Sequence, residues 1–408
     1  MIRRVPLYVW VLVAVALAVP VGLLWGEGAA RLELLPRLII RALTALGAPL
    51  VVLAILSTIV THEIRGRQGA RMMLFYLVNT LVALAIALVL ANVLTPGRGA
   101  SLMDPSRAPA PPPRKSFAEV LIELIPKSLG DAFTQNNLAQ LVLITLAIAI
   151  GLALVRNVQR ARGETAWRAV LDLVNVGFEV LMKVLLWVVT VVPLAVFGVV
   201  AVALGRSDGV AVLRSLLWLI VVVVTGLLLQ LGWYLTLVAA IGRRSPWAFL
   251  KGGRDAMAAA FSTASTGATM PVTLQALTGP LGVSRASSQL AACVGTNFNN
   301  DGTALYQAAA VLFLAQALGY PLSLADQVLV AFTTIFASIG AGCIPSGSFV
   351  TLPLIFAAVG LPADQIPVLL TIDWFLDRCR TTCNVVGDMT VAVLLDRTEG
   401  ESTSPVGR

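Results

Sequence analysis

The stretch DWFLDRCRTTCNVVGD, Asp373 to Asp388, decides how this chain is read. Placed on a helix at about 100° per residue, Asp373, Asp377, Arg380, Thr381, Asn384 and Asp388 all fall within an arc of roughly 100°. The surrounding sequence is apolar. A charged side chain at the centre of a bilayer costs about 2.5–3.5 kcal/mol, and it persists where it faces partners, water or a ligand. The polar face therefore reads as the wall of a binding site for a charged solute and for cations.

Working outward, the composition confirms the setting. The 408 residues are 58% hydrophobic and 12% charged, with a mean hydropathy of +0.88. Soluble domains carry about 25% charged residues. The apolar runs far exceed the ten or so residues of a barrel strand, so the chain is an all-α membrane protein. Spans read at 5–25, 38–60, 72–94, 138–155, 180–204 and 216–241. The first is too long for a secretory leader and is taken as a true span. Arginines and lysines gather in alternate loops: at Arg3 and Arg4, at 65–71, at 156–168 and at 243–254. Those loops are expected in the cytoplasm. The net charge of +8 follows from this bias and argues for no nucleic-acid partner. The long loop at 95–137 carries PSRAPAPPPRK and is expected to be extended. Four cysteines (Cys293, Cys343, Cys379, Cys383) read as small packing residues and His62, the one histidine, as an interfacial residue.

Beyond Arg254 the pattern changes. FSTASTGATMP (261–271) and FASIGAGCIP (336–345) each break an apolar region into halves too short to cross a bilayer. A buried-looking aspartate follows each break: Asp301 after the first, Asp377 after the second. Paired Gly/Pro-interrupted segments mark the binding site of a secondary transporter, where half-helix ends aim N–H groups and free carbonyls at the ligand.

Between the breaks lies TNFNNDGT, Thr296 to Thr303. Asn-Asp-Gly is poor helix sequence, and these side chains would be costly facing lipid. An unwound turn on a cavity is expected, its oxygens ligating a hard cation, with Asn384 and Asp388 adding more. Asp301, Asp373, Asp377 and Asp388 count minus four; Arg378 and Arg380 return plus two at most. An empty site with surplus negative charge recruits cations first, and an acidic solute then pairs with Arg380, whose planar fork suits a carboxylate. That favourable linkage is the thermodynamic content of symport. Protons are an alternative coupling ion, since desolvated aspartates take up protons.

At these residues the chain resembles the dicarboxylate/amino acid:cation symporter family, the glutamate/aspartate transporters. NNDGTALYQ at 299–307 is similar to that family's NMDGT motif, and 373–388 is similar to its last helix. The likeness is weak before about Met72 and strong over 261–399. It implies eight transmembrane helices plus two re-entrant helical hairpins arranged as inverted repeats, in a homotrimer working by an elevator mechanism. The boundaries it implies are scaffold helices 1–2 at 1–71, transport-domain helix 3 at 72–95, and the external loop with scaffold helices 4–5 at 96–210. Transport-domain helix 6 follows at 211–245, hairpin one at 246–283, broken helix 7 at 284–320, hairpin two at 321–361, helix 8 at 362–398 and a polar tail at 399–408. Hairpin one enters from the inside and hairpin two from the outside.

The resemblance also implies roles. Asp377 matches the position that binds a substrate amino group and Arg380 the one that binds a side-chain carboxylate. Thr381 and Asn384 match contacts at and near the main-chain carboxylate. Thr303 and the hairpin-one tip, Ser265, Thr266 and Gly267, line the same pocket; Ile344 and Ser348 form the gate at the second tip. One sodium set is Gly295, Asn299, Asn384 and Asp388. A second is Asn297, Ser338, Ile339 and Ala341, largely through backbone carbonyls. A third is Tyr76, Asn79, Thr80, Asn299 and Asp301.

Some positions depart from the family pattern. Residues 264–267 are Ala-Ser-Thr-Gly where archaeal members have Arg-Ser-Ser-Ser, and the arginine moves to Arg378 as in the animal transporters. Asn300 replaces the motif methionine and Asn79 the usual threonine. Gln307 replaces the acid of potassium-coupled members, so no potassium counter-transport is expected. The acids at 377 and 388, absent from many proton-coupled C4-dicarboxylate carriers, favour an acidic amino acid and sodium. The expectation is a sodium-coupled aspartate/glutamate symporter of the plasma (inner) membrane with both termini cytoplasmic. A C4-dicarboxylate or neutral amino acid carrier and an anion-leaking channel are the alternatives. No nucleophile–base pair or HExxH motif points to an enzyme.

Overall fold

The fold is given by a computed structural model that describes residues 7–61, 66–100, 125–134, 138–205, 209–320, 322–341 and 347–402, with positions 119 and 122. The helices are α1 (Leu7–Trp25), α2 (Leu34–Thr61), α3 (Gly66–Leu94), the short α4 (Leu129–Thr134), α5 (Leu138–Ala161), α6 (Ala166–Thr190), α7 (Val192–Gly205) and α8 (Gly209–Ala240). They continue as α9 (Pro246–Thr263), α10 (Thr266–Thr278), α11 (Arg285–Phe298), α12 (Asp301–Ala317), α13 (Leu324–Ala341), α14 (Gly347–Val359) and α15 (Leu370–Ser402). Among the described residues there is no strand.

Long helices follow from long apolar runs. At 1.5 Å per residue, the 29-residue α3 and 32-residue α8 exceed a hydrocarbon core of about 30 Å. Five helical stretches among the described residues are long and apolar enough to cross a membrane: Val9–Thr61, Gly66–Leu94, Gln140–Ala161, Ala166–Gly205 and Val210–Ala240. The sequence reading of one span at 180–204 needs correction. That region is the end of α6 and all of α7, parted at Val191, two residues before Pro193, whose ring and missing N–H oppose a continuous helix. The reading of 95–137 falls mostly on residues outside those described, as do His62 and Cys343.

Two groups of helices emerge from the packing. In one, α2 runs against α5, α6 and α7, and α1 lies on α7. In the other, α15 is the axis: α3 and α8 to α12 all pack on it, and α12 also meets α3, α8 and α13. Every described residue of α12 except Gln316 is buried, so this helix has no face for lipid or water.

The second group contains short elements. α9 and α10 are 18 and 13 residues long and pack on each other across a two-residue joint. Ala264 there takes the left-handed conformation, φ 50°, and Ser265 is extended, its Oγ accepting from Ala268 N. α13 and α14, of 18 and 13 residues, form a second pair. A 13-residue helix is about 20 Å long and does not span a bilayer.

Candidate functional site

The polar face of α15 points inward. Asp373, Arg380, Thr381, Asn384 and Asp388 are all buried, and Asp377 is partly so. Arg380 is 1% exposed. Its Nη2 donates to Asp373 Oδ1 at 2.8 Å and to Asp377 Oδ1 at 2.7 Å. The guanidinium carbon lies 4.0 Å from the centre of the Tyr306 ring, a cation–π stack supplied by α12. Among the described residues, Nε and Nη1 of Arg380 have no hydrogen-bond partner. Buried donors without acceptors are costly, so this guanidinium presents an unused edge for an anionic group.

One turn along, α12 begins. The helix break is shorter than the eight-residue unwound turn expected: Thr296–Phe298 still belong to α11 and Asp301–Thr303 to α12, leaving only Asn299 and Asn300 outside helical geometry. Gly302 lets the start of α12 cross α15 closely; a Cβ there would stand 2.8 Å from the Arg380 carbonyl oxygen. Gly302 N donates to Asn384 Oδ1 at 2.8 Å, while Asn384 Nδ2 donates to Asn300 Oδ1 and Thr303 Oγ1, both at 3.2 Å. Asn384 thus clamps the break to α15.

Two carboxylates flank the break. Asp301, fully buried, accepts from Thr80 Oγ1 at 2.7 Å and from Tyr234 Oη at 2.5 Å. Asp388, 2% exposed, accepts from Asn299 Nδ2 at 3.0 Å. Among the described residues no arginine or lysine pairs with either. Among the described residues, the buried acceptors Asn297 Oδ1 and Asn299 Oδ1 have no donor. A Cβ at Gly295 would collide with Asp388 Oδ1 and come within 3.0 Å of Tyr76 Oη, so glycine keeps the space beside this carboxylate open. A buried carboxylate with no basic partner, next to an amide oxygen with no proton to accept, is what a hard cation satisfies.

The three residue sets expected from the sequence fall unevenly. Gly295, Asn299, Asn384 and Asp388 come together as just described. Of the third set, Thr80 hydrogen-bonds Asp301, whereas Asn299 bonds Asp388 instead; Tyr76 spends its hydroxyl on Ala291 O at 2.8 Å, and Asn79 Oδ1 accepts from Trp233 Nε1 at 3.0 Å. In the remaining set, Asn297 Nδ2 reaches α2 at Thr58 Oγ1, 2.5 Å away, and Ser338 Oγ bonds Ile335 O at 2.9 Å. Ser338 and Ile339, with Tyr76 and Thr80, line a cavity of about 750 Å³ between α2, α3, α5 and α13, which none of residues 373–388 reaches. Ala341 ends α13. Thr266 Oγ1 donates to Thr296 O at 3.4 Å, which ties the α9–α10 tip, with Ser265 and Gly267, to α11. Ser348 Oγ, in the first turn of α14, is buried and has no partner among the described residues. Ile344 lies outside the described residues.

Sequence reading missed Tyr234, Tyr306 and Thr58 as site neighbours. The signal for Tyr234 was present: Gln230, Trp233 and Tyr234 put three hydrogen-bonding side chains within five residues of a largely apolar span.

Bilayer-length helices wrapped round a buried, partly unneutralised acid cluster and an open guanidinium define a membrane transporter of charged solutes. A profile of the sodium:dicarboxylate symporter family matches residues 7–398, and the chain belongs to that family. Similar relatives include excitatory amino acid transporter 4 of Mus musculus, 27% identical over 432 residues, covering 88% of this chain and 76% of the relative. Excitatory amino acid transporter 2 of Homo sapiens is 28% identical over 412 residues, covering 86% and 70%. An excitatory amino acid transporter of Caenorhabditis elegans is 36% identical over 250 residues, covering 60% and 48%. The chain is a transporter, not an enzyme.

Proposed function

We propose that this protein is a sodium-coupled symporter of an acidic amino acid, aspartate or glutamate, in the plasma membrane. The observation that carries the reading is the pair Asp301 and Asp388, buried without a basic partner among the described residues, with the unpartnered side-chain oxygen of Asn299 beside Asp388. Sodium ions are cargo in this reading, and they enter first because the empty cluster is negative. Their charge lowers the cost of admitting an anion. The substrate's side-chain carboxylate then takes Nε and Nη1 of Arg380, while Asp377 turns to the amino group and Asp373 keeps the guanidinium in place. Asn384, Thr381 and Thr303 bind near the main-chain carboxylate, with Ser265–Gly267 and Ser348 closing over it. Support also comes from the relatives, whose names describe transport of excitatory amino acids.

The mechanism belongs to the same reading. The α9–α10 and α13–α14 pairs act as re-entrant hairpins, and the group built on α15 slides as an elevator against α2, α5, α6 and α7. The protein works as a homotrimer with cytoplasmic termini. Labelled aspartate uptake into proteoliposomes, with sodium, proton and potassium gradients imposed separately, tests the function. Accumulation driven by inward sodium is expected. Uptake driven by a proton gradient alone, or flux that never exceeds equilibration, would overturn it.

A further inference from the structure

A second charged site lies far along the chain from α15, where α3 ends and α8 begins. A groove of about 860 Å³ is bounded by Thr95 and Arg98 on one side and by Arg214, Leu217, Trp218 and Val221 on the other. That volume lies within the usual range of small-molecule sites, about 300–1,000 Å³. Residues 214, 217, 218 and 221 share one face of α8, spaced i, i+3, i+4 and i+7.

The face changes character along the helix axis. Arg214 stands in the second turn and Arg98 in the turn that follows α3. Both are exposed, and among the described residues neither guanidinium has a hydrogen bond or an ion pair. Just beyond them Trp218 donates its indole N–H to Leu94 O at 3.0 Å, fixing the ring against a carbonyl at the end of α3. Further on the surface is purely apolar and open: Leu217 is 63% exposed and Val221 45%. On a bilayer-length helix such an open apolar face meets lipid, and a tryptophan at its edge marks the headgroup level. Arginine at that level extends its guanidinium toward phosphate.

We propose that this groove binds an anionic phospholipid, its phosphate held between Arg98 and Arg214 and its acyl chains lying along Leu217, Trp218 and Val221. Charge complementarity selects the head, and the apolar stripe directly below selects an amphiphile over a free anion. Neither arginine belongs to the transport site.

Tryptophan quenching by brominated lipid tests this. The full chain is reconstituted in phosphatidylcholine vesicles containing a small fraction of brominated phosphatidylglycerol or brominated phosphatidylcholine. The Trp218 signal is taken as the difference from a W218F chain. Brominated phosphatidylglycerol should quench at roughly 30-fold lower mole fraction than brominated phosphatidylcholine, the preference expected of two surface arginines. R98Q/R214Q should remove the preference while leaving quenching by brominated phosphatidylcholine unchanged, which shows the groove still faces lipid. R98K/R214K should retain most of it. Equal quenching by the two lipids in the native chain, or a preference that survives R98Q/R214Q, overturns the proposal. A third arm adds inorganic phosphate at matched ionic strength. The preference should persist; its loss would assign the groove to free phosphate instead.

Discussion

At the scale of single residues, the site is a contest between burial and charge. Arg380 spends one nitrogen on two carboxylates and holds two in reserve. A charged hydrogen bond is worth about 1.5–3 kcal/mol, so Arg380→Thr should weaken aspartate affinity roughly 10- to 100-fold and favour neutral amino acids such as serine or alanine. Competition against labelled aspartate uptake measures this, and unchanged aspartate affinity would remove Arg380 from the site. Asp377→Ser should penalise amino acids far more than succinate, because succinate has no amine for the carboxylate to meet. Equal losses for the two compounds would deny Asp377 that role. Asp388→Asn removes a buried negative charge from beside Gly295 and Asn299. The apparent sodium affinity should fall by about tenfold or more. A sodium dependence identical to that of the native chain would place the cation elsewhere.

At the scale of elements, α12 shows how packing settles what periodicity leaves open. Its sequence has almost no amphipathic bias, because apolar residues surround it on every side. Ala308, Ala309 and Ala310 are each fully buried, and α3, α8, α13 and α15 close round them. Overpacking such a position costs typically about 1–3 kcal/mol. Ala309→Leu should therefore lower the thermal unfolding midpoint in detergent, while Leu228→Ala on the exposed side of α8 should barely move it. Equal effects would mean that α12 is not enclosed. The polar face of α15 was legible from residue spacing alone, since one helix repeat relates all its members. The length of the break between α11 and α12 was not. Asn and Gly are poor helix formers, but Gly302 N and Asn300 are held by Asn384 from another helix, and that support lets α12 begin at Asp301.

At the scale of the molecule, the elevator proposed above has the group built on α15 move against α2. The two bodies touch where Gly47 of α2 meets Val350 of α14. A Cβ at Gly47 would sit 3.9 Å from Val350 Cβ, which suits a disulfide, whose Cβ atoms are about 3.8 Å apart. In a chain with Cys293, Cys343, Cys379 and Cys383 replaced, Gly47→Cys with Val350→Cys should crosslink on mild oxidation. Uptake should then stop and return on reduction. Crosslinked protein that transports at the native rate would exclude sliding at this contact.

Hydropathy and helical spacing by themselves determined that the chain is a helical membrane protein, that its C-terminal half carries the polar machinery, and which side of the last helix bears it. Those conclusions need only local physics: the length of an apolar run and the cost of charge in lipid. The pairing of Arg380 with Asp373, the stacking on Tyr306, the anchoring of Asp301 by Tyr234, and the reach of Asn297 to Thr58 were decided only by the tertiary structure. Each joins residues through angles and distances that depend on how separate helices cross, and crossing is set by the packing of the whole body.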